Sequence, residues 1–302
     1  MIKIKIDAIN LRLREHHDFS WIHKAGRVFC VYDEQDSGNI LFGIMNKGVK
    51  KFIKYAGAKP VEYAGEPEDA IIRLKNAIPV YEDIKHPALI KFERALECPN
   101  GIAAVFEWFD GAGLHDHWTF AKYNKYTHPK SAYYRYRHMP VEKRIKSINT
   151  IFKFLAYVES VNYVAIDFYD GSILYDFKNN ITKICDIDFF RKKPVINDLG
   201  EKFWGSKRFK PPEEYAYGGT IDGATNVYTL GALLFHLFGI YTELDIKRMY
   251  EENSFFPCSI ENWELSKPLY EVTLKAVNKI RNERYNSISD FLATWNKAPQ
   301  IV

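Results

Sequence analysis

The sequence has few cysteines, and none of them forms a pair typical of metal or redox sites. Only four of the 302 residues are cysteine, and they are scattered singly: Cys30, Cys98, Cys185 and Cys258. Isolated thiols of this kind fit a reducing compartment and argue against a disulfide framework or a zinc ribbon. We therefore predict a cytoplasmic protein.

A long hydrophobic run is also missing. The longest one, YTLGALLFHLFGIY at residues 228–241, is too short to span a bilayer and predicts the central helix of a globular core. The N-terminal stretch MIKIKIDAINLRLREHHD alternates charged and aliphatic residues and lacks the apolar centre of a signal peptide. We predict neither secretion nor membrane insertion.

The chain lacks a strong charge imbalance. A net charge of +4 with 26% charged residues does not by itself call for a polyanionic partner. One segment, KSAYYRYRHMPVEKRIK at residues 130–146, interleaves tyrosine with arginine in a way that could bind nucleic acid. Its apolar residues, however, continue at helical spacing through SINTIFKFLAYVES, so we predict an exposed turn that leads into a helix, and no nucleic-acid partner.

The periodicity of the chain changes about one third of the way along. Residues 19–57 read as antiparallel strands separated by the turn-prone DEQDSGN and NKG, and EDAIIRLKNA reads as a helix. Further strands are predicted near residues 88–92 and 102–108, followed by a turn at DGAG, residues 110–113. After Leu114 the pattern is mainly helical apart from an irregular segment at residues 191–217. We predict an α+β fold with a β-rich domain, 1–109, and a helix-rich domain, 110–302.

One acidic stretch in the helix-rich part stands out, VAIDFYDGSILYDFKNNITKICDIDFF. It contains five aspartates among apolar residues: Asp167, Asp170, Asp176, Asp186 and Asp188. Residues 173–177 and 181–185 read as the strands of a hairpin, which would bring Asp167 and Asp186 to the same end. Carboxylates gathered in this way repel each other unless a cation or a donor network intervenes, and Mg²⁺ bound with phosphate oxygens would serve. Asp170 and Asp176 are interpreted as solvated loop residues.

These residues carry a family resemblance. The stretch resembles the catalytic core of protein kinases, in which a catalytic aspartate precedes a metal-binding asparagine, a hairpin and the aspartate of the D-F-G motif. Asp167 matches the catalytic aspartate, Ser172 occupies the asparagine position, and Asp186 matches the D-F-G aspartate. Ala165 and Ile166 stand where the family has His and Arg, so the catalytic loop is divergent. The resemblance is to bacterial Ser/Thr protein kinases.

Three further blocks follow in the order that this family has. GSKRFKPPE, residues 205–213, is similar to G-T-x-x-Y-x-A-P-E, with Ser206 at the threonine that bonds the catalytic aspartate. TNVYTLGALLFHLFG is similar to the central helix, with Asn226 at an aspartate position where its amide oxygen can still accept a backbone N–H. NERYNSISDFL resembles the terminal arginine motif, which implies that Arg284 pairs with Glu213. These blocks favour the protein-kinase type over aminoglycoside-type phosphotransferases.

The β-rich part resembles the nucleotide-binding part of the family. FIKY looks like the V-A-I-K strand, which makes Lys54 the candidate contact for the α- and β-phosphates. The resemblance places Phe106 at the gatekeeper position and implies that the backbone of Glu107 and Phe109 meets adenine.

Two elements of this part match poorly. The loop that covers phosphate in the family has three glycines, whereas WIHKAGRVFCVY retains only Gly26. The glutamate that pairs with the phosphate-binding lysine is also missing, because counting back from HPALIKF reaches Ala77. Glu68 is the alternative if the helix is longer or shifted.

The resemblance implies an ATP-dependent phosphotransferase that uses Mg²⁺, or Mn²⁺, and a protein hydroxyl, including one of its own. Asp167 would accept or orient the hydroxyl proton, and Asp186 would bind the metal. Ser172 would be a second metal ligand, but its side chain is shorter than the asparagine that it replaces. Asp170 or Asp188 would compensate for the weaker metal binding. Because no arginine precedes Asp167, activation through a phosphorylated loop residue docking there is not expected.

Two other functions stay open at this point. The chain would be a pseudokinase, a binding or scaffold module, if the degenerate glycine loop and the replaced residues abolish transfer. A small-molecule kinase of the aminoglycoside or choline type is the third possibility, and the GSKRFKPPEE segment argues against it.

Overall fold

The computed structural model describes residues 1–299 and divides into two units, each with its own core. The first contains Met1–Gly111 and Asp116–Tyr123, and the second contains Ala112–His115 and the chain from Asn124 onward. The predicted boundary after residue 109 lies close to the end of Met1–Gly111. Both helices and antiparallel sheets are present, as predicted for an α+β protein.

A five-stranded antiparallel sheet forms most of the first unit, with strand order β3-β4-β5-β7-β6. A separate hairpin precedes it, and a long helix follows the third strand of the sheet. The elements are β1 (Ile2–Ile6), β2 (Ile9–Leu13), α1 (Ile22–Ala25), β3 (Arg27–Tyr32), β4 (Asn39–Asn46), β5 (Val49–Ala56), α2 (Pro67–Asp83), β6 (Phe92–Cys98) and β7 (Gly101–Glu107).

The central hairpin of this sheet follows directly from the sequence. Strands β4 and β5 pair over their whole length, from Asn39 opposite Ala56 to Asn46 opposite Val49. The turn between them uses Lys47 and Gly48, both at positive φ (49° and 82°), which matches the right-handed twist of paired strands. The predicted NKG turn is therefore confirmed.

The prediction of a strand from Phe19 to Gly26 was wrong. The chain forms the short helix α1 there, and Ile22 turns into the core with no exposed surface. Gly26 then adopts a φ of +151°, and a Cβ at this position would lie 2.7 Å from the carbonyl oxygen of Met45. This close approach to strand β4 explains why position 26 is a glycine, and phosphate binding is not needed to explain it.

Three other boundaries differ from the prediction. The N-terminal residues, for which no strand was predicted, form the hairpin of β1 and β2. Residues 88–90 are buried but not in a strand, because pairing with β7 begins only at Phe92. The predicted turn at residues 110–113 contains a short strand, Ala112–Gly113, which pairs with Leu174 and Tyr175 in the second unit.

The second unit combines α-helices with short strand pairs. Its elements are β8 (Ala112–Gly113), α3 (Ala132–Arg137), α4 (Val141–Ser160), β9 (Tyr163–Val164), β10 (Ile173–Asp176), β11 (Ile181–Ile184), β12 (Arg191–Lys192), β13 (Val195–Ile196), β14 (Thr220–Ile221), α5 (Gly223–Phe238), α6 (Glu243–Glu251), α7 (Lys267–Ala276) and α8 (Ile288–Lys297). Residues 191–217, here called the connecting segment, are mostly irregular, as predicted.

Helix α5 is the centre of this unit. Every residue from Gly223 to Phe238 is buried, which agrees with the continuous apolar run in the sequence. The side chain of Asp222 caps its first turn by accepting from the amide of Ala224 at 2.9 Å. No helix within residues 1–299 combines the length and apolarity needed to cross a membrane.

The basic aromatic segment leads into a helix, as predicted, but its first part is itself helical and partly buried where an exposed turn was predicted. It forms α3 and the start of α4, and Tyr133 and Tyr136 are buried. Arg137 and Arg144 both pair with Glu264, at 2.5 Å in each case. Tyr133, Tyr136, Arg137 and Arg144 thus pack within the unit, whereas Arg135 is exposed.

An ion pair ties the connecting segment to the C-terminal part of the chain. Arg284 donates from Nη1 to Glu213 Oε1 at 2.7 Å and from Nη2 to Oε2 at 3.0 Å. The Arg284 side chain has no exposed surface, whereas Arg281, which also reaches Glu213 at 3.1 Å, is 30% exposed. The predicted pairing of Glu213 with Arg284 is confirmed.

The two arginines allow a matched test of this pair. Arg284→Met should lower the free energy of unfolding by about 3 to 5 kcal/mol, because it leaves the carboxylate of Glu213 without its bidentate partner. Arg281→Met should cost about 1 kcal/mol or less, since a partly exposed pair is screened by water. Urea unfolding at pH 7 measures both, and equal losses in the two variants would show that the buried pair has no special weight.

Candidate functional site

The acidic hairpin predicted from the sequence is present. Strands β10 and β11 pair from Ile173 opposite Ile184 to Asp176 opposite Ile181. The pairing continues beyond the strands, because the amide of Cys185 donates to the carbonyl of Ser172 at 2.9 Å. Asp186 therefore leaves the hairpin beside the turn at residues 170–172.

Asp176 lies at the opposite end of the hairpin and is not simply solvated. Its Oδ1 accepts from the amides of Lys178 and Asn179, at 2.8 and 3.1 Å, and these bonds close the turn. The Asn179 side chain donates to its other oxygen at 2.6 Å. These bonds lower the pKa of Asp176, the Asn179 side chain contributing most. Its role is structural.

Asp167 and Asp186 share an unusual backbone conformation. Both have positive φ values, +58° and +56°, in the left-handed region that side chains other than glycine rarely adopt. The residues beside Asp167, Ile166 and Phe168, are buried, while Asp167 itself is partly exposed and Asp186 is exposed. Buried neighbours thus hold a strained backbone that turns the carboxylates outward, as is common at functional sites.

The phenol of Tyr169 links the two aspartates. Burial raises its pKa well above the ordinary value, and the negative charges of Asp186, Asp167 and Asp170 raise it further, in that order. Tyr169 therefore stays protonated among three carboxylates. Gly171 makes room for the ring, because a Cβ there would lie 2.5 Å from Tyr169 Cε2.

Ser172, predicted as a second metal ligand, is fully buried. Its hydroxyl accepts from the amide of Tyr169 at 3.5 Å and so closes the turn at residues 170–172. Its role as a metal ligand stays a prediction.

The loop before Asp167 is held by the central helix. Asn226 accepts from the amide of Ala165 at 2.8 Å and donates to its carbonyl at 2.6 Å. The expectation that the amide oxygen of Asn226 accepts a backbone N–H is confirmed. Both polar groups of Ala165 are satisfied inside the core, which a carboxylate at position 226 could not achieve because it has no donor.

Asp170 is the centre of a buried ion cluster, and its interpretation as a solvated loop residue was wrong. Its side chain has no exposed surface. Oδ1 accepts from Arg208 Nη2 at 2.9 Å, while Oδ2 contacts Lys125 Nζ and lies 2.9 Å from His236 Nε2. Burial favours the neutral acid, but Arg208 and then Lys125 outweigh it and hold the pKa of Asp170 well below its usual range. A carboxylate engaged in this way cannot compensate for Ser172 at a metal.

The two imidazoles of this cluster are neutral. Burial lowers the pKa of His236 to about 3 against the attraction of Asp170, and burial also lowers the pKa of His115. His236 Nε2 lies 2.9 Å from Asp170 Oδ2 and 3.3 Å from Arg208 Nη1, and His115 Nδ1 lies 2.8 Å from Lys125 Nζ.

Aromatic rings surround the two cations that Asp170 must balance. Lys125 Nζ lies 4.8 Å from the ring centre of Tyr133, and the guanidinium of Arg208 lies 4.6 Å from that of Phe209. Ring faces attract desolvated cations and help to compensate the excess positive charge. Together with Asp170, His115 and His236, these residues form what we call the Asp170 cluster.

Sequence analysis missed the partners of Asp170. Lys125, Arg208 and His236 lie 45, 38 and 66 residues away from it along the chain. No local sequence pattern predicts such a cluster. The only signal was a carboxylate three residues after Asp167 in an otherwise apolar stretch.

The residues predicted to bind nucleotide lie in the first unit. Lys54 is buried on β5, opposite Leu41 and Ala104. Phe106 is also buried, with its ring 4.9 Å from that of Tyr81. The amide of Glu107 donates to the carbonyl of Lys91 at 2.9 Å. The nucleotide roles of Lys54, Glu107, Phe109 and Gly26 stay predictions.

The tentative partner of Lys54 receives no support. Glu68 is exposed in the first turn of α2. Ala77, the position that the family spacing indicates, is buried on the same helix. The helix is longer than predicted, and its buried residues are Ala70, Leu74, Ala77, Val80 and Tyr81.

The donor set fits a magnesium ion bound together with phosphate. Within residues 1–299 no group of three or more His, Cys, Asp or Glu side chains is arranged to hold a metal on its own. Mg²⁺ at phosphate sites needs only one or two protein carboxylates, its other ligands being phosphate oxygens and water. The exposed carboxylate of Asp186 meets that requirement.

Comparison with known proteins adds no assignment. No protein-family model matches the chain, and the curated proteins contain no match to it.

The buried imidazole of His236 predicts a loss of stability in weak acid. The unfolded chain takes up a proton on His236 near pH 6.5, but the folded chain does so only near pH 3. The free energy of unfolding should therefore fall by about 1.4 kcal/mol for each pH unit between these values. His236→Gln removes this contribution and should reduce the loss between pH 6.5 and 5 by about 2 kcal/mol.

Urea unfolding at several pH values measures the slope, and the exposed His138 supplies the control. His138→Gln should leave the slope as in the wild type. A wild-type slope retained in His236→Gln would mean that this imidazole is charged in the folded protein.

Proposed function

We propose that this chain is an ATP-dependent phosphotransferase of the Ser/Thr protein kinase type, which moves the γ-phosphate to a protein hydroxyl. The observation that carries the proposal is the arrangement of Asp167 and Asp186. Both have left-handed backbones and keep exposed surface, and the hairpin brings the chain back to the turn at residues 170–172 just before Asp186, where the amide of Cys185 donates to the carbonyl of Ser172 at 2.9 Å. A base and a metal ligand for phosphoryl transfer need this combination of proximity and access.

Two structural contacts implied by the kinase resemblance support the proposal. Glu213 pairs with Arg284, and Asn226 bonds the backbone before Asp167. Neither contact takes part in the proposed reaction. Their agreement matters because they join blocks separated by 71 and 61 residues, which a chance resemblance of short motifs would not bring together.

Phosphoryl transfer at this site would proceed in one step. The substrate hydroxyl oxygen bonds to the γ-phosphorus, the bond from that phosphorus to the β,γ-bridging oxygen breaks, and ADP leaves with the electron pair. The hydroxyl proton passes to the carboxylate of Asp167. The hydrogen bonds of Ala165 to Asn226 hold the backbone that presents this carboxylate.

Asp186, with Asp188 two residues later, would hold Mg²⁺ against the phosphates. When bound, the metal neutralises the charge that develops on the phosphate oxygens. Lys54 would contribute a further positive charge to the phosphates, as the resemblance implies. Because Ser172 closes a buried turn, a single metal position at Asp186 is the simplest arrangement.

The test is phosphate transfer from γ-labelled ATP by the purified full-length protein in Mg²⁺, with itself and a generic protein as acceptors. Asp167→Asn and Asp186→Asn should each lower the transfer rate by about 100-fold or more, because one removes the proton acceptor and the other weakens metal binding. Asp198→Asn, an exposed aspartate in the connecting segment, is the matched control and should retain the wild-type rate.

Thermal melting separates the alternatives. A rise in melting temperature with ATP and Mg²⁺ but without transfer would replace the proposal by a nucleotide-binding pseudokinase. Transfer to small hydroxyl compounds but not to protein would indicate a small-molecule kinase. No transfer and no shift in melting temperature would overturn both catalysis and nucleotide binding.

A further inference from the structure

The Asp170 cluster has no part in the chemistry proposed above, yet it lies next to it in the chain. Asp170 follows Asp167 by three residues, and Arg208 belongs to the connecting segment. We call residues 167–172, from the candidate base to the end of the turn, the catalytic turn. The ion pair of Asp170 with Arg208 therefore joins the catalytic turn to the segment that resembles a kinase activation segment. Both side chains are almost completely buried, Arg208 with 3% of its side-chain surface exposed.

We propose that Asp170 and Arg208 are positioning residues, which anchor the connecting segment to the catalytic turn and hold Asp167 in its working orientation without a phosphate on the segment. This inference rests on the proposed function. It assigns a role in the reaction to two residues that touch neither substrate nor metal.

The geometry makes Asp170 the common acceptor of three separate parts of the second unit. Arg208 reaches it from the connecting segment, Lys125 from the loop before α3, and His236 from the buried helix α5. Both carboxylate oxygens are engaged. If Asp170 moves, it must break bonds to all three, so the turn at residues 170–172 has one favoured position.

Apolar packing anchors the segment on its other side. Ile166, directly before Asp167, packs in a buried cluster with Phe203 of the connecting segment and with Ile221 of β14. Phe189 also stacks on Trp204, with ring centres 4.5 Å apart. The family has an arginine where this chain has Ile166, and an aliphatic side chain in an apolar cluster cannot bind a phosphate.

In the family, the cation precedes the catalytic aspartate and a phosphate on the segment supplies the anion; in this chain the two charges are exchanged. The cation, Arg208, is on the segment, and the anion, Asp170, is on the catalytic turn, so the pair is complete without modification. A phosphate on the segment near Arg208 would compete with Asp170 for that guanidinium and would disturb the anchor.

The composition of the cluster favours a positioning role over a purely stabilising one. Buried ion pairs are often no more stable than apolar residues of the same volume, and their best-attested use is to specify one arrangement. Arg208 Nε is buried and has no hydrogen-bond partner within residues 1–299, so the network is not optimised for stability. What it specifies is the register of the connecting segment against the catalytic turn.

The experiment compares Asp170→Asn, Arg208→Gln and the double variant with the wild type, all as the full chain. Each single variant should lower kcat by about 100-fold, the cost of a small misplacement of a catalytic group, with little change in KM for ATP. The double variant should be no worse than the poorer single variant, because the two side chains act through one contact. Arg208→Lys should restore only part of kcat, since an ammonium cannot reproduce the planar fork.

Arg144→Gln is the matched control. Arg144 is equally buried, with 3% exposed, and is also ion-paired, but to Glu264 and away from the connecting segment. This variant should lose stability and keep kcat when assayed well below its melting temperature. A fall in kcat as large as that of Arg208→Gln would reduce the Asp170 cluster to a general stability element and overturn the proposal.

Hydrogen exchange provides a readout that does not require catalysis. In Asp170→Asn and Arg208→Gln, amides of residues 191–217 should exchange at least about tenfold faster, while those of α4 keep their protection. If the wild type transfers no phosphate but this pattern appears, the proposed function fails and the anchor stands. Unchanged exchange in residues 191–217 overturns the anchor itself.

The independence from phosphate is tested on the wild type. Enzyme treated with phosphatase, and shown by intact mass to carry no phosphate, should keep its kcat. A loss of about tenfold or more that returns on re-phosphorylation would show that a modified residue, not the ion pair, positions the segment.

Discussion

The second unit depends on the burial of one carboxylate. An ionised aspartate without water is stable only when cations and donors surround it, and Asp170 obtains these from Arg208, Lys125 and His236. Because these partners come from separate parts of the chain, their convergence aligns the turn at residues 170–172, the connecting segment and helix α5. The turn then closes around Ser172 and Tyr169, and the hairpin that leads to Asp186 starts from it.

The five aspartates of one short stretch show how environment divides identical side chains into different roles. Asp176 closes a turn, Asp170 is buried in an ion cluster, and Asp167 and Asp186 keep exposed surface on left-handed backbones. A carboxylate that is buried and paired with cations cannot reach a substrate or a metal. A carboxylate on an accessible, strained backbone position can reach one. Tyr169 is half-buried near three of these carboxylates. Its raised pKa keeps the phenol protonated, so it adds no further negative charge there.

Local patterns predicted much of the fold. The hairpin of β4 and β5 and the hairpin of β10 and β11 follow from short apolar strands with turn residues between them, and α5 follows from a continuous apolar run. The failures have physical causes. Residues 19–26 looked strand-like, but burial of Ile22 and the close approach of Gly26 to Met45 favour a helical turn. Ala112–Gly113 looked like a turn, but a neighbouring strand gives it partners.

By itself, the sequence determined the acidic hairpin and the central helix, because periodicity carries that information locally, and the resemblance of its motifs to a known family implied the pairing of Glu213 with Arg284. Only the tertiary structure decided which aspartates are accessible, that Ser172 is buried, and that Lys125, Arg208 and His236 converge on Asp170. Charge compensation in a protein interior is a long-range requirement. It selects partners by their distance in space, and spacing along the chain does not record that distance.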